Sequence, residues 1–175
     1  IADNAFTNNK SITGVNFNGN PNLEYIGYRA FAFTGLQGII DIPATNGILN
    51  IEEQAFTGGD FDGSTITGKG LITGVNFNNN VNQINLGPNS FRNNSITGEF
   101  VSKSNYNYVS TGGGIYGAFR ENNITRLVVE GSMTVIWDMY RDNPITEVVL
   151  PEGVETIKDS SFAGAELNTL VLPST

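Results

Sequence analysis

The chain contains no cysteine and no histidine. Thiol nucleophiles, disulfides, Ser–His–Asp triads and Cys- or His-based metal sites are therefore excluded. Acid–base chemistry would fall to Asp, Glu, Tyr and Lys alone. Basic residues are scarce: 9 Lys and Arg stand against 17 Asp and Glu over 175 residues, a net charge of −8. An acidic chain without a basic cluster is repelled by phosphate backbones and anionic lipid, so nucleic acid is not an expected partner. Apolar runs last only a few residues, too short for a spanning helix, so membrane insertion is not expected either. Nothing in the composition calls for a cofactor or a metal.

Two residue types are abundant instead. Gly (21) and Asn (24) together make up about a quarter of the chain, well above ordinary usage. The 39% apolar fraction and 18 aromatic residues are enough for a core, which argues against global disorder. The sequence begins at Ile1 without a signal-peptide apolar segment and cuts a repeat at both ends, so it reads as a piece of a longer protein.

The repeat is visible in two phrases. Ser11-Ile12-Thr13-Gly14-Val15-Asn16-Phe17-Asn18 returns as Leu71-Ile72-Thr73-Gly74-Val75-Asn76-Phe77-Asn78, with a truncated copy at Ser95-Ile96-Thr97-Gly98. A small residue before an aromatic recurs as Ala5-Phe6, Ala30-Phe31, Ala55-Phe56, Ser90-Phe91, Ala118-Phe119 and Ser161-Phe162, with Met139-Tyr140 in the same slot. The aromatics are spaced by 25, 25, 35, 28, 21 and 22 residues. Isoleucine stands five residues before several of them, at Ile1, Ile26, Ile51 and Ile157. The segment after each aromatic alternates apolar and polar residues, as in Leu127/Val129 and Val148/Leu150, the pattern of a half-buried strand. One such coil cannot bury both of its faces, so successive coils must stack. Asn and Gly then fall at coil corners (Asn8-Asn9, Asn18-Gly19-Asn20, Asn78-Asn79-Asn80, Asn93-Asn94, Asn122-Asn123), where left-handed backbone is tolerated. The small residue lets neighbouring coils approach, and the aromatic fills the space between them.

This unit resembles the BspA-like class of bacterial leucine-rich repeats, L-T-S-V-x-[IL]-P-x-x-V-x-x-I-G-x-x-A-F. The closest copy runs from Ile145 through Pro151, Val154 and Ile157 to Phe162, and Ile26-Gly27-Tyr28-Arg29-Ala30-Phe31 matches the second half. The resemblance implies a leucine-rich repeat solenoid, mainly β, with stacked coils of short parallel strands and short 3-10 or helical turns. It would form one domain over 1–175 of about six or seven units, with insertions at 57–70 and 100–117. It further implies a non-catalytic module of a bacterial cell-surface or secreted protein, devoted to adhesion or to protein or glycan recognition. A structural spacer projecting another domain is one alternative. A calcium-dependent or carbohydrate-processing unit is another. Uncapped solenoid ends also suggest self-association.

Candidate binding residues follow from this frame. The outward column of the first strand runs Asn16, Asp41, Asn76, Val128, Val149 and Val171, and its valines are either a partner strip or ordinary cross-strand packing. Tyr106, Tyr108 and Tyr116 lie among Ser, Asn and Gly, and this stretch is either a recognition loop, whose composition it shares, or an elaborated edge whose tyrosines pack on the solenoid. Asp60 and Asp62 alternate with Gly, Ser and Thr in a stretch that could ligate calcium, although Lys69 stands near the place of an EF-hand's closing Glu. Trp137 is either an exposed anchor or a filler between coils. Glu52-Glu53 and Asp60/Asp62 are the nearest carboxylate pairs, but neighbours on an extended chain point to opposite faces, and glycosidase chemistry needs two carboxylates across a cleft. No catalytic residue is expected.

Overall fold

The computed structural model describes residues 1–109 and 117–174. In chain order, β1 (Tyr25–Ile26) closes the first coil. The next coil carries β2 (Gln37–Asp41) and β3 (Leu49–Ile51). A hairpin of β4 (Asp60–Phe61) and β5 (Ile66–Thr67) follows, and then coils of β6 (Leu71–Asn76) with β7 (Ile84–Leu86) and β8 (Thr97–Lys103) with β9 (Tyr106–Tyr108). The last coils hold β10 (Asn123–Glu130) with β11 (Val135–Ile136), and β12 (Glu147–Val149) with β13 (Thr156–Ile157). Each coil thus supplies one strand to each of two columns, and every inter-coil pairing is parallel. The first column comprises β2–β6 and β8–β10–β12; the second comprises β1–β3–β7–β9 and β11–β13.

The third side of the coil is the small-aromatic corner. The rings of Phe6, Phe31, Phe56, Phe91, Phe119 and Tyr140 form one continuous stack, with centroids 5.1, 5.2, 5.0, 5.2 and 6.0 Å apart. The backbone stacks with them. Phe31 N–H donates to Ala55 O, Phe56 N–H to Ser90 O, Phe91 N–H to Ala118 O and Phe119 N–H to Met139 O, all at 2.7–2.8 Å. Ala30, Ala55 and Ala118 are fully buried, and Met139 in the same slot is buried as well. Where the repeat has Gly, the close approach of the neighbouring coil is the reason. A Cβ on Gly27 would lie 2.7 Å from Asp3 N, and one on Gly87 would lie 2.6 Å from Glu53 N.

The corner is not helical, contrary to the expected 3-10 or helical turns: no described residue is helical. Left-handed residues stand two before and two after the aromatic, for example Asn4 and Asn8 around Phe6, Arg29 and Phe33 around Phe31, and Asn89 and Asn93 around Phe91. They interrupt the right-handed run after three residues, and alternate N–H groups then point to the next coil instead of back along the chain.

Of residues 100–117, expected as an insertion that breaks the strand pattern, 110–116 lie outside the described residues, and 100–109 carry the end of β8 and all of β9. β8 is in register with β10, pairing Phe100 with Leu127 and Ser102 with Val129. β9 is in register with β7, pairing Tyr106 with Ile84 and Tyr108 with Leu86. Aromatic and hydroxyl side chains occupy places that other coils fill with aliphatics, which hid the repeat. The insertion at 57–70 does form an extra element, the β4–β5 hairpin. It folds back over earlier coils: Phe61 stacks on Phe33 at 5.1 Å, and the Arg29 guanidinium lies 5.5 Å from the Phe61 ring.

Candidate functional site

The outward face of β8, β10 and β12 brings the sequence-level valines together. Val128 is directly opposite Val149 on one side and Val101 on the other, so the row begins one strand earlier than expected. Val149 is 38% exposed, and Val171 beyond it is 72% exposed. Val149 and Val171 share a shallow depression of about 320 Å³ with Leu150, Leu172 and Pro173. One rank toward the strand start, Arg126 lies between Glu99 and Glu147 and forms ion pairs with both, at 3.0 Å for Glu147. The result is an apolar stripe beside a charged ladder. In the N-terminal coils the equivalent places are polar: Asp41 faces Asn76 and accepts its amide N–H at 2.8 Å.

Tyr106 and Tyr108 pack on the solenoid, the second of the two readings, and do not stand in an exposed loop. Tyr106 is 6% and Tyr108 9% exposed, and both belong to the core. The Tyr106 ring packs 4.8 Å from Phe77. Burial pushes both phenols up to about 12. They alternate inward because the strand has period two, and Asn107 between them faces out. Tyr116 lies outside the described residues.

The Asp60/Asp62 stretch is a capped hairpin turn. Asp62 accepts from the backbone N–H groups of Thr65 (2.7 Å) and Ser64 (2.8 Å) and from both of their hydroxyls. These bonds hold its carboxyl well below the usual range. Asp60 pairs with Lys10 at 2.7 Å, tying the hairpin to a coil two turns back. Among the described residues no three acidic side chains converge as a cation would require. Glu53 Oε1 accepts a hydrogen bond from Gln54 Nε2 at 3.3 Å.

Trp137 is 37% exposed, with the Lys158 ammonium 5.4 Å from its ring centre. It lines a groove of about 580 Å³ at the corner where β9 and β11 belong to separate sheets.

One surface feature was missed at the sequence level. Asn50, Asn85 and Asn107 lie side by side across β3, β7 and β9, and their amides join into a ladder, Asn107 to Asn85 at 3.0 Å and Asn85 to Asn50 at 2.7 Å. The signal was present as three apolar-Asn-apolar triplets: Leu49-Asn50-Ile51, Ile84-Asn85-Leu86 and Tyr106-Asn107-Tyr108.

Asp138, beside Trp137, carries a testable electrostatic cost. Its Oδ1 is buried and accepts no hydrogen bond. Burial pushes the carboxyl up to about 6, against the partial opposition of Arg141 and Arg120. A carboxyl whose pKa rises on folding binds more protons in the native state, so its contribution to stability falls as pH rises from about 4 to about 6 and is flat above that. Asp138→Asn is therefore expected to stabilise the chain at pH 7.5 by about 1–2 kcal/mol after allowance for solvent screening. The advantage should vanish near pH 4, as read by paired thermal melts at the two pH values.

Set beside known proteins, residues 1–111 and 67–175 match the family model described as BspA type leucine rich repeat region, in 6 copies. No curated protein and no solved structure matches the chain.

Proposed function

Because the chain belongs to the BspA-type leucine-rich repeat family, we propose that it is a non-catalytic adhesion module of a bacterial surface or secreted protein, with a protein ligand seated on the outward face of β8, β10 and β12. The repeats of this family are generally surface protein-binding repeats. The observation that carries the reading is the row Val101–Val128–Val149, in register on three parallel strands, with the charged ladder of Glu99, Arg126 and Glu147 alongside it. An apolar centre with a polar rim is the common anatomy of protein interfaces. Backbone bonds on all three sides of the coil hold that face rigid, which lowers the ordering cost of association. The charge of −8 disfavours acidic ligands and keeps the array soluble.

The test is a screen of the immobilised chain against purified extracellular proteins and a glycan array, repeated with the double variant Val128→Asp and Val149→Asp. Both side chains face outward, so the fold should survive, with a loss of about 1 kcal/mol or less per cross-strand pair. A protein bound by the wild type is expected to lose at least about tenfold in affinity, equivalent to 1.4 kcal/mol. A chain that binds nothing would instead be a spacer. Binding unaffected by the double variant would put the ligand on another face.

A further inference from the structure

The corner around Trp137 differs from the other corners in length and in chemistry. Between the two strand columns, the chain takes seven residues (77–83) in the β6–β7 coil, two (104–105) in the β8–β9 coil and four (131–134) in the β10–β11 coil. A tight corner between two longer ones leaves a notch. There the second column also breaks, since β9 and β11 belong to different sheets. The notch is the groove of about 580 Å³, with Tyr106 and Val135 among its lining residues.

Its walls carry no ionisable group except the Tyr106 phenol, although 15% of the chain is Asp, Glu, Lys or Arg. They offer three side-chain amides (Gln83, Asn105 and Asn107), three hydroxyls (Ser104, Ser132 and Thr134) and the Trp137 indole. The amides are already anchored through their nitrogens. Asn105 Nδ2 donates to Asn80 O and Asn82 O, both at 2.7 Å, Gln83 Nε2 to Asn85 Oδ1 at 2.6 Å and Asn107 Nδ2 to Asn85 Oδ1 at 3.0 Å. Each amide plane is therefore fixed, and its carbonyl oxygen is left as a pre-oriented acceptor. Val81, 87% exposed, and Met133 add apolar surface on either side.

We propose that this notch is a binding site for a neutral oligosaccharide, stacked on Trp137 and hydrogen-bonded through its hydroxyls to the fixed amide oxygens of Gln83, Asn105 and Asn107. A neutral sugar presents what the walls complement: an apolar ring face and many hydroxyl donors, without charge. A phosphate or a carboxylate would meet the acceptor oxygens of three amides, although the Lys158 ammonium stands 5.4 Å from the Trp137 ring centre. An apolar peptide would leave the amides and hydroxyls of the groove desolvated and unpaired. The inference rests on the reading of the chain as a binding module but uses a surface other than the valine face.

Trp137 is the chain's single tryptophan, so intrinsic fluorescence reports on this site alone. The intact chain would be titrated with maltotriose, cellotriose, chitotriose and, as a charged control, sialyllactose. At least one neutral trisaccharide is expected to give a saturable change in emission with a Kd of about 1 mM or tighter. Gln83→Ala should weaken that binding at least fivefold without shifting the melting temperature. Trp137→Ala should abolish it, as read by saturation-transfer NMR. The proposal is overturned if no neutral sugar saturates, if only sialyllactose binds, or if Trp137→Ala leaves binding intact. Capture of a protein ligand through the valine face should be unaffected by Trp137→Ala. Loss of the sugar site alone therefore leaves the adhesion reading standing, and loss of the protein ligand alone leaves the sugar site standing.

Discussion

Phe91→Ala is expected to lower the unfolding free energy by about 4–5 kcal/mol, a large share of what a domain of this size possesses. Phe91 is completely buried and is stacked on both faces, by Phe56 at 5.0 Å and by Phe119 at 5.2 Å. Phe77 closes on its edge at 6.3 Å. Truncation removes the transfer free energy of a whole aromatic ring and two stacked pairs of about 0.5–1.5 kcal/mol each. It also leaves a cavity that the hydrogen-bonded corners on either side cannot close. Phe6→Ala, at the exposed end of the same stack, should cost only about 1 kcal/mol. Urea unfolding of the two variants provides the comparison. Similar losses at both positions would show that the stack is not what joins the coils.

The second large effect is expected at Asn122. This side chain is 2% exposed and holds three chain segments at once. Its Nδ2 donates to Phe91 O and Phe119 O, both at 2.9 Å, and its Oδ1 accepts from Ile96 N–H at 3.2 Å. Asn143 repeats the arrangement one coil later, with Phe119 O, Tyr140 O and Ile124 N–H. Asn94 donates to Phe56 O and Phe91 O one coil earlier. Asn122→Ala leaves the buried Ile96 N–H without a partner and removes one of the two amide donors from Phe91 O and from Phe119 O, which Asn94 and Asn143 still reach, so a total loss of about 2–4 kcal/mol is expected. Asn122→Asp should be worse, because it replaces the donor with a buried charge. Asn85→Ala in the outer ladder should cost about 1 kcal/mol or less. Equal effects at Asn122 and Asn85 would contradict the distinction between a structural and a surface amide ladder.

These two positions also show how far the sequence could be read. The Ala-Phe spacing located the aromatic stack and the coil period because a ring repeated at that interval has only the neighbouring coil to bury itself against. The excess of asparagine was legible only in part. Asn8, Asn18, Asn78 and Asn93 take the expected left-handed backbone, and Asn16, Asn20, Asn76 and Asn80 cap the turns that follow them. Asn94, Asn122 and Asn143 have a different task, bridging carbonyls of two coils. That role depends on inter-coil geometry; the one local mark of these three residues is their place, three positions after the stacked aromatic at Phe91, Phe119 and Tyr140.

The candidate site was legible to a similar degree. Val128 and Val149 were identified because alternation sends every second residue outward, and their mutual register followed from the repeat. Tyr106 and Tyr108 were left open between a recognition loop and packing on the solenoid because aromatics among Ser, Asn and Gly look like a loop, whereas the period of two places both rings inward. The Trp137 groove was invisible in sequence, since it arises from the difference in length between three neighbouring corners. Left-handed conformations at Arg29, Phe33 and Gln54 were equally hidden, because those residue types do not advertise them.

On the proposed reading, binding is carried by the outward face of β8, β10 and β12. The most direct test is amide hydrogen exchange on the chain alone and in complex with the tightest protein found by the array screen. Slowed exchange is expected across 97–103, 123–130 and 147–149, with little change at 49–51 and 84–86. Protection confined to the asparagine ladder, or no protein ligand to measure at all, would contradict it.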